Sequence, residues 1–177
     1  QCHWDLGSFL IFDTENARHI MRLGYLDAMK AFGILDGYRY AFGKEQMDLR
    51  NLRTAEYAAF AFGLDPEIIY SRDVFVSRLQ EAVSKYIGSE DSDLEELRKG
   101  FKKLSILQIE KSMERLRRMS RRATIVYIAD FLKQQEGSAE SGAKKMKEPP
   151  VPIRKALEKI FERDLAAANW LIKNKLI

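Results

Sequence analysis

The 177-residue chain has few of the residues that build several kinds of functional site. Its one cysteine, Cys2, excludes an internal disulfide framework and a cysteine-rich zinc site. Carboxylates are plentiful but show no metal-ligand spacing, so we expect no metal and no other cofactor. No apolar run approaches the ~20 residues that a membrane-spanning helix needs. A single cysteine also suits a reducing compartment, and we expect a cytoplasmic protein, with peripheral membrane association as an open alternative.

Catalytic motifs are also absent from the sequence. There is no G-x-S-x-G nucleophile elbow, and the nearest string, at residues 139–143, lacks both glycines. P-loop, G-x-G-x-x-G and H-E-x-x-H motifs do not occur. His19 lies in a predicted helix without a partner at a suitable spacing, so a surface position explains it better than general-base chemistry. We therefore assign no catalytic residue in this chain.

Helical periodicity dominates what is present, and a hydrophobic content of 46% allows a packed core. Helices are predicted at 14–32, at about 47–62, from a cap at Ser71 to Gly88, within 91–135 with a break at Gly100 or Ser120, and from about 153 onward. The first helix is expected to bury one apolar and small-residue face: Ala17, Ile20, Met21, Gly24, Ala28, Ala31 and Phe32.

Strand signals are confined to the start of the chain. Residues 9–12 form a short apolar run, and Asp36-Gly37 marks a turn within a hairpin at residues 34–42. No strand is predicted from residue 46 onward. The predicted fold class is therefore mainly α, a multi-helix bundle-like domain with a short strand or hairpin near the N-terminus. The rest of the chain is predicted to contain three parts: a helical domain at 46–135, a linker at 136–152 and a C-terminal helix at 153–177 that packs back on the helical domain.

Positive charge is concentrated in one segment. Residues 98–122 carry ten Lys or Arg against Glu110 and Glu114, a net of +8. At helical spacing one stripe of this segment bears four cations: Lys111, Arg115, Arg118 and Arg122. This stripe is a candidate anionic-surface site, for a membrane or for nucleic acid, and a solvated helix face is the simpler alternative. Because Phe101 is the only aromatic residue of the segment, base stacking is unsupported.

The first forty residues resemble a known family. Three strings carry the resemblance: Trp4-Asp5-Leu6-Gly7, residues 10–13 (LIFD) and residues 22–30 (RLGYLDAMK). Together they are similar to the end of the patatin-like phospholipase domain of bacterial proteins. The match covers residues 4–42 and continues loosely to about 75. The resemblance implies a parent lipid acyl hydrolase with an α/β fold and a Ser–Asp dyad. Both catalytic motifs of that family precede the matched part, so none of its catalytic residues falls in this chain.

The resemblance leads to a functional hypothesis for the whole chain. Residues 1–45 would be the tail of the hydrolase domain, with Gly24 and Tyr25 packing the first helix on the upstream catalytic domain of the same protein. The chain would then be a non-catalytic C-terminal helical region that completes the fold and docks on a membrane or partner. Two alternatives stay open: a stand-alone basic helical module for nucleic acid, and a dimerisation scaffold that pairs with a second copy.

Overall fold

The computed structural model describes residues 14–48, 50–89, 95, 119–140 and 159–177. These residues form five α-helices and three short strands, which confirms the mainly α prediction. The chain divides into two units, Gln1–Leu79 and Gln80–Ile177. The elements in chain order are α1 (Thr14–Ala31), β1 (Leu35–Asp36), β2 (Ala41–Gly43), α2 (Leu52–Ala61), β3 (Ile69–Tyr70), α3 (Arg72–Ile87), α4 (Arg121–Glu140) and α5 (Glu162–Lys173).

A three-stranded sheet in the order β1-β2-β3 lies in the first unit. β1 and β2 are antiparallel, with Leu35 opposite Gly43, and this confirms the hairpin predicted at 34–42. β3 runs parallel to β2, with Phe42 opposite Tyr70, so the prediction of no strand after residue 46 was wrong. β3 has only two residues, too few for any alternation of polar and apolar side chains to reveal it. The apolar run at 9–12 lies outside the described residues.

An aromatic cluster forms the core of the first unit. The rings of Tyr40, Phe42, Tyr70 and Phe75 are almost completely buried. Phe42 and Phe75 meet edge to face at 5.0 Å between ring centroids, and Tyr70 meets Phe75 in the same way at 5.5 Å. The buried hydroxyl of Tyr40 donates to the carbonyl oxygen of Leu64 at 3.2 Å, and burial raises the pKa of this phenol. The cluster therefore ties the hairpin, β3 and the start of α3 together.

Local hydrogen bonds lie at or just before the starts of α2 and α3. The Ser71 hydroxyl accepts the backbone N–H of Val74 at 3.4 Å, so α3 starts after Ser71 as predicted. α2 runs from Leu52 to Ala61 and is shorter than predicted at both ends. Before its start, the Asp48 carboxylate accepts the backbone N–H of Arg50 at 3.1 Å. Asp65 likewise accepts the backbone N–H of Glu67 at 2.8 Å, which forms a turn between α2 and β3.

In the second unit α5 packs against α4. α4 begins after Ser120, whose hydroxyl accepts the backbone N–H of Ala123 at 3.3 Å. It continues to Glu140, so residues 136–140 of the predicted linker are helical, while 141–152 lie outside the described residues. The buried Asp164 of α5 accepts a hydrogen bond from Arg121 of α4 at 3.2 Å. Both helices bury apolar side chains: Ala123, Ile125, Val126, Ala129, Ala167, Ala168 and Leu171.

Candidate functional site

α1 places its most apolar face outward. The predicted buried face was wrong, because six of its seven residues are exposed and only Ile20 is half-buried. Leu23 and Leu26 on the opposite side are buried instead, and Leu26 packs with Leu35 and Ala41. Periodicity located the apolar stripe of the helix but could not tell which way that stripe faces.

Polar side chains attach α1 to the rest of the first unit. His19 Nδ1 and Glu67 Oε1 are 2.5 Å apart, and the Arg22 Nε–H donates to the Glu67 carbonyl at 3.0 Å. Near the other end of the helix, Lys30 Nζ donates to the carbonyl oxygen of Tyr38 at 3.0 Å and pairs with Asp27 at 2.8 Å. The interpretation that His19 lacks a partner is thereby corrected: its partner, Glu67, is simply remote in sequence.

The outward side of α1 is a continuous apolar surface, which we call the outer face. Its large side chains are mostly solvent-exposed, at 73% for Met21, 51% for Tyr25 and 80% for Phe32. Gly24 lies beside them, and a Cβ atom built there would meet no other atom within 4 Å. Contiguous exposed apolar surface on a helix is typical of an interaction site. The outer face comprises Ala17, Met21, Gly24, Tyr25, Ala28 and Ala31 of α1, and Phe32, which follows the helix directly.

Gly24 and Tyr25, predicted to pack between domains, therefore lie together on this surface. Neither packs into the core of the first unit, and Tyr25 carries the Arg22 guanidinium 5.7 Å from its ring centroid. Their contact with an upstream domain stays a prediction. Among the residues described, the outer face is the largest run of exposed large hydrophobic side chains on one helix.

A buried carboxylate fixes the loop between β1 and β2. Oε1 of Glu56 accepts the backbone N–H groups of Tyr38 at 2.8 Å, Arg39 at 3.1 Å and Tyr40 at 3.1 Å. Glu56 is 2% exposed, and burial raises its pKa, against the opposing effect of the three N–H donors. The sequence does carry a signal for this role, since Glu56 falls among the buried alanines of α2.

Arginine–aromatic contacts border the same loop. The Arg53 guanidinium lies 4.2 Å from the ring centroid of Tyr38, and that of Arg39 lies 4.4 Å from the centroid of Phe60. Arg53, Glu56 and Phe60 follow one another at helical spacing on α2, so this side of α2 holds the loop through its backbone and two side chains. These contacts attach the loop between β1 and β2 to α2.

The predicted basic stripe is described only at its last residue. Lys111, Arg115 and Arg118 lie outside the described residues. Arg122 is in the first turn of α4, where its guanidinium lies 5.0 Å from the ring centroid of Tyr86. Its contact is therefore with an aromatic ring of the same unit. Binding of an anionic surface by these four residues stays a prediction.

The described part of the chain shows neither a metal-binding group nor a membrane-spanning helix. The described residues contain no group of His, Cys, Asp and Glu side chains that could hold a metal ion. None of the described helices is both long enough and apolar enough to cross a membrane. No protein-family model matches the chain, and no curated protein or solved structure matches it either.

Proposed function

We propose that this chain is the non-catalytic C-terminal helical region of a patatin-like lipid acyl hydrolase, and that α1 joins it to the upstream catalytic domain. The outer face of α1 carries the proposal. Met21, Tyr25 and Phe32 are exposed to solvent, whereas charged residues of α1 form hydrogen bonds to the rest of the first unit. Such a helix gains stability when another apolar surface covers its exposed side.

The resemblance identifies the surface that covers the outer face. The residues that resemble the family signature, 22–30, all belong to α1. In that interpretation α1 is an integral helix of the hydrolase domain, and Gly24 allows the catalytic domain to approach its backbone closely. The remaining helices then form an appendage to that domain, and the reaction is carried by residues upstream of this chain.

The test is the full-length protein expressed from the gene that contains this coding sequence. Ala28→Glu places a charge in the middle of the outer face, and Ser77→Glu places one at an exposed position of α3 as a matched control. We expect Ala28→Glu to lower the melting temperature and the rate of ester hydrolysis, because the carboxylate is buried at the domain contact without a partner. Ser77→Glu should leave both quantities unchanged.

Three results would contradict the proposal. The coding sequence upstream could lack a G-x-S-x-G motif after a strand-like run. The separate 177-residue chain could hydrolyse an ester and lose that activity on substitution of one of its own residues. Finally, Ala28→Glu could match the control in melting temperature and hydrolysis, in which case α1 is not the contact.

A further inference from the structure

The loop between β1 and β2 forms a binding point for one anionic oxygen. Three consecutive backbone N–H groups, those of Tyr38, Arg39 and Tyr40, converge on Oε1 of Glu56 at 2.8, 3.1 and 3.1 Å. Successive N–H groups of a turn that point to one spot form a concavity that binds anions. The loop supplies all three donors, and the acceptor comes from a helix 16–18 residues further along the chain.

A cation on the far side of the same loop strengthens these donors. The Lys30 ammonium group donates to the carbonyl oxygen of Tyr38 at 3.0 Å, and that carbonyl belongs to the peptide group whose N–H is the Arg39 donor. A positive charge at the oxygen end of a peptide group and a negative charge at its N–H end polarise the group in the same direction. Burial raises the pKa of Glu56, and Lys30 opposes that shift together with the N–H donors.

The walls of this point define the class of ligand. A Cβ atom built on Gly37, whose φ is +116°, would lie 3.1 Å from Oε1 of Glu56, 3.1 Å from Cδ2 of Phe42 and 2.1 Å from the Tyr40 carbonyl oxygen. The oxygen is therefore closely surrounded by the loop backbone and an aromatic ring. Since Glu56 is 2% exposed, the carboxylate that supplies this oxygen is held out of water. Such a site suits a small, planar, singly charged carboxylate.

From this geometry we infer that residues 37–40 are a carboxylate-binding loop and that Glu56 occupies it as a ligand tethered to α2. The loop then requires a carboxylate at this point and not a covalent connection to α2. A free carboxylate ion should therefore replace the Glu56 side chain when that side chain is removed. The inference concerns the first unit by itself and does not depend on the proposed function.

Formate, the smallest carboxylate, is the probe. We expect it to bind the Glu56→Ala variant with a dissociation constant of the order of tens of millimolar, because so small an ion makes few contacts. About 0.5 M formate should then raise the ratio of folded to unfolded Glu56→Ala by about 20-fold. The melting temperature should rise by roughly 5 °C relative to chloride at the same ionic strength.

Thermal denaturation in sodium formate and in sodium chloride, at about pH 7, measures this difference. The parent chain and Glu56→Gln keep an oxygen at the binding point, so their melting temperatures should differ by about 1 °C or less between the two salts. Leu52→Ala is the matched cavity control. Leu52 is 1% exposed and lies on the same helix, but its removal leaves an apolar space without donors, so formate should not stabilise this variant beyond the parent.

Glu56→Gly is the second variant, since it also removes the Cβ atom and gives formate more room. A formate-specific gain in either glutamate variant, with renewed protection of the amides at 38–40 against hydrogen exchange, supports the inference. If both variants are unfolded in chloride, circular dichroism follows their folding as formate replaces chloride. The inference is overturned if neither variant gains more from formate than the parent, if Leu52→Ala gains as much, or if unfolded variants fold in sucrose but not in formate.

Discussion

Replacing Glu56 with alanine removes one acceptor from three backbone donors at once. The N–H of Tyr40 is fully buried, and those of Tyr38 and Arg39 are partly buried. A buried donor left without an acceptor costs about 1–3 kcal/mol, while partly buried donors regain water and cost nearer the lower limit. We therefore expect Glu56→Ala to lower the free energy of unfolding by about 3–4 kcal/mol. That is a large share of the 5–15 kcal/mol typical of a domain.

Hydrogen exchange at the three amides locates the effect. A loss of about 3 kcal/mol corresponds to roughly 100-fold faster exchange, and we expect it at residues 38–40 first, before the amides of α2 and α3 respond. Glu56→Gln is the matched variant, since it keeps an acceptor oxygen and loses only the charge. It should cost about 1 kcal/mol or less. If Glu56→Ala lost less than 1 kcal/mol, with unchanged protection at Tyr40, the carboxylate would not be what fixes this loop.

The pH dependence of stability provides a second, independent check on Glu56. Burial raises the pKa of its carboxyl in the folded state, so the folded chain holds this proton more tightly than the unfolded chain. The resulting contribution to stability is fully present below the ordinary pKa of a glutamate and is lost as the pH rises through the raised value. Stability of the parent relative to Glu56→Gln should therefore fall as the pH increases above ~4.3. A difference that is flat or of opposite slope in pH-dependent denaturation would show that the N–H donors outweigh burial.

Three further predictions concern glycines and ion pairs. Gly37→Ala should lower the free energy of unfolding by about 2–3 kcal/mol, because φ is +116° and the new Cβ would lie 2.1 Å from the Tyr40 carbonyl oxygen. Gly24→Ala should instead raise it by up to ~1 kcal/mol in a dilute, monomeric sample. Thermal denaturation measures both changes, and equal effects would refute the different surroundings given to the two glycines. A double-mutant cycle on His19→Gln and Glu67→Gln should give a coupling energy below ~1 kcal/mol, since both side chains are about a third exposed or more. A coupling energy above about 2 kcal/mol would show that the pair behaves as a buried one. Arg121→Met should lower the free energy of unfolding, measured by urea denaturation, by about 1 kcal/mol, because the guanidinium is 64% exposed although its partner Asp164 is buried. An unchanged free energy of unfolding would show that this ion pair does not stabilise the fold.

Local signals explain which elements could be predicted from the sequence. The hairpin forms where it was predicted, although Asp36 belongs to β1 and the connection to β2 is residues 37–40, beginning at Gly37 with φ +116°. α3 begins where the Ser71 side chain accepts a nearby N–H. Both signals act within a few residues. The second strand pair, β2 with β3, joins residues 41–42 to residues 69–70, and such pairing leaves no trace in local periodicity.

The polar contacts of the candidate site were harder to predict for the same reason. Glu56 bonds to a loop 16–18 residues earlier, and His19 meets Glu67 at a separation of 48 residues. In neither case does the type of one residue indicate which distant residue it will contact. A glutamate on the alanine-rich side of α2 indicates that something must accept or neutralise its charge, because an isolated buried carboxylate is too costly to keep. It does not indicate that backbone N–H groups fulfil that need.

The outer face of α1 shows a different limit of sequence analysis. Hydrophobic spacing correctly grouped Met21, Gly24, Ala28 and Phe32 on one side of the helix, and the same reasoning placed that side in the core of the chain. That inference assumes that whatever covers an apolar face belongs to the same folded unit. For α1 the assumption fails, since Leu23 and Leu26 occupy the core and polar bonds attach the helix. An apolar face that the fold leaves exposed is typical of an interaction surface, and sequence periodicity alone does not distinguish such a face from a core face.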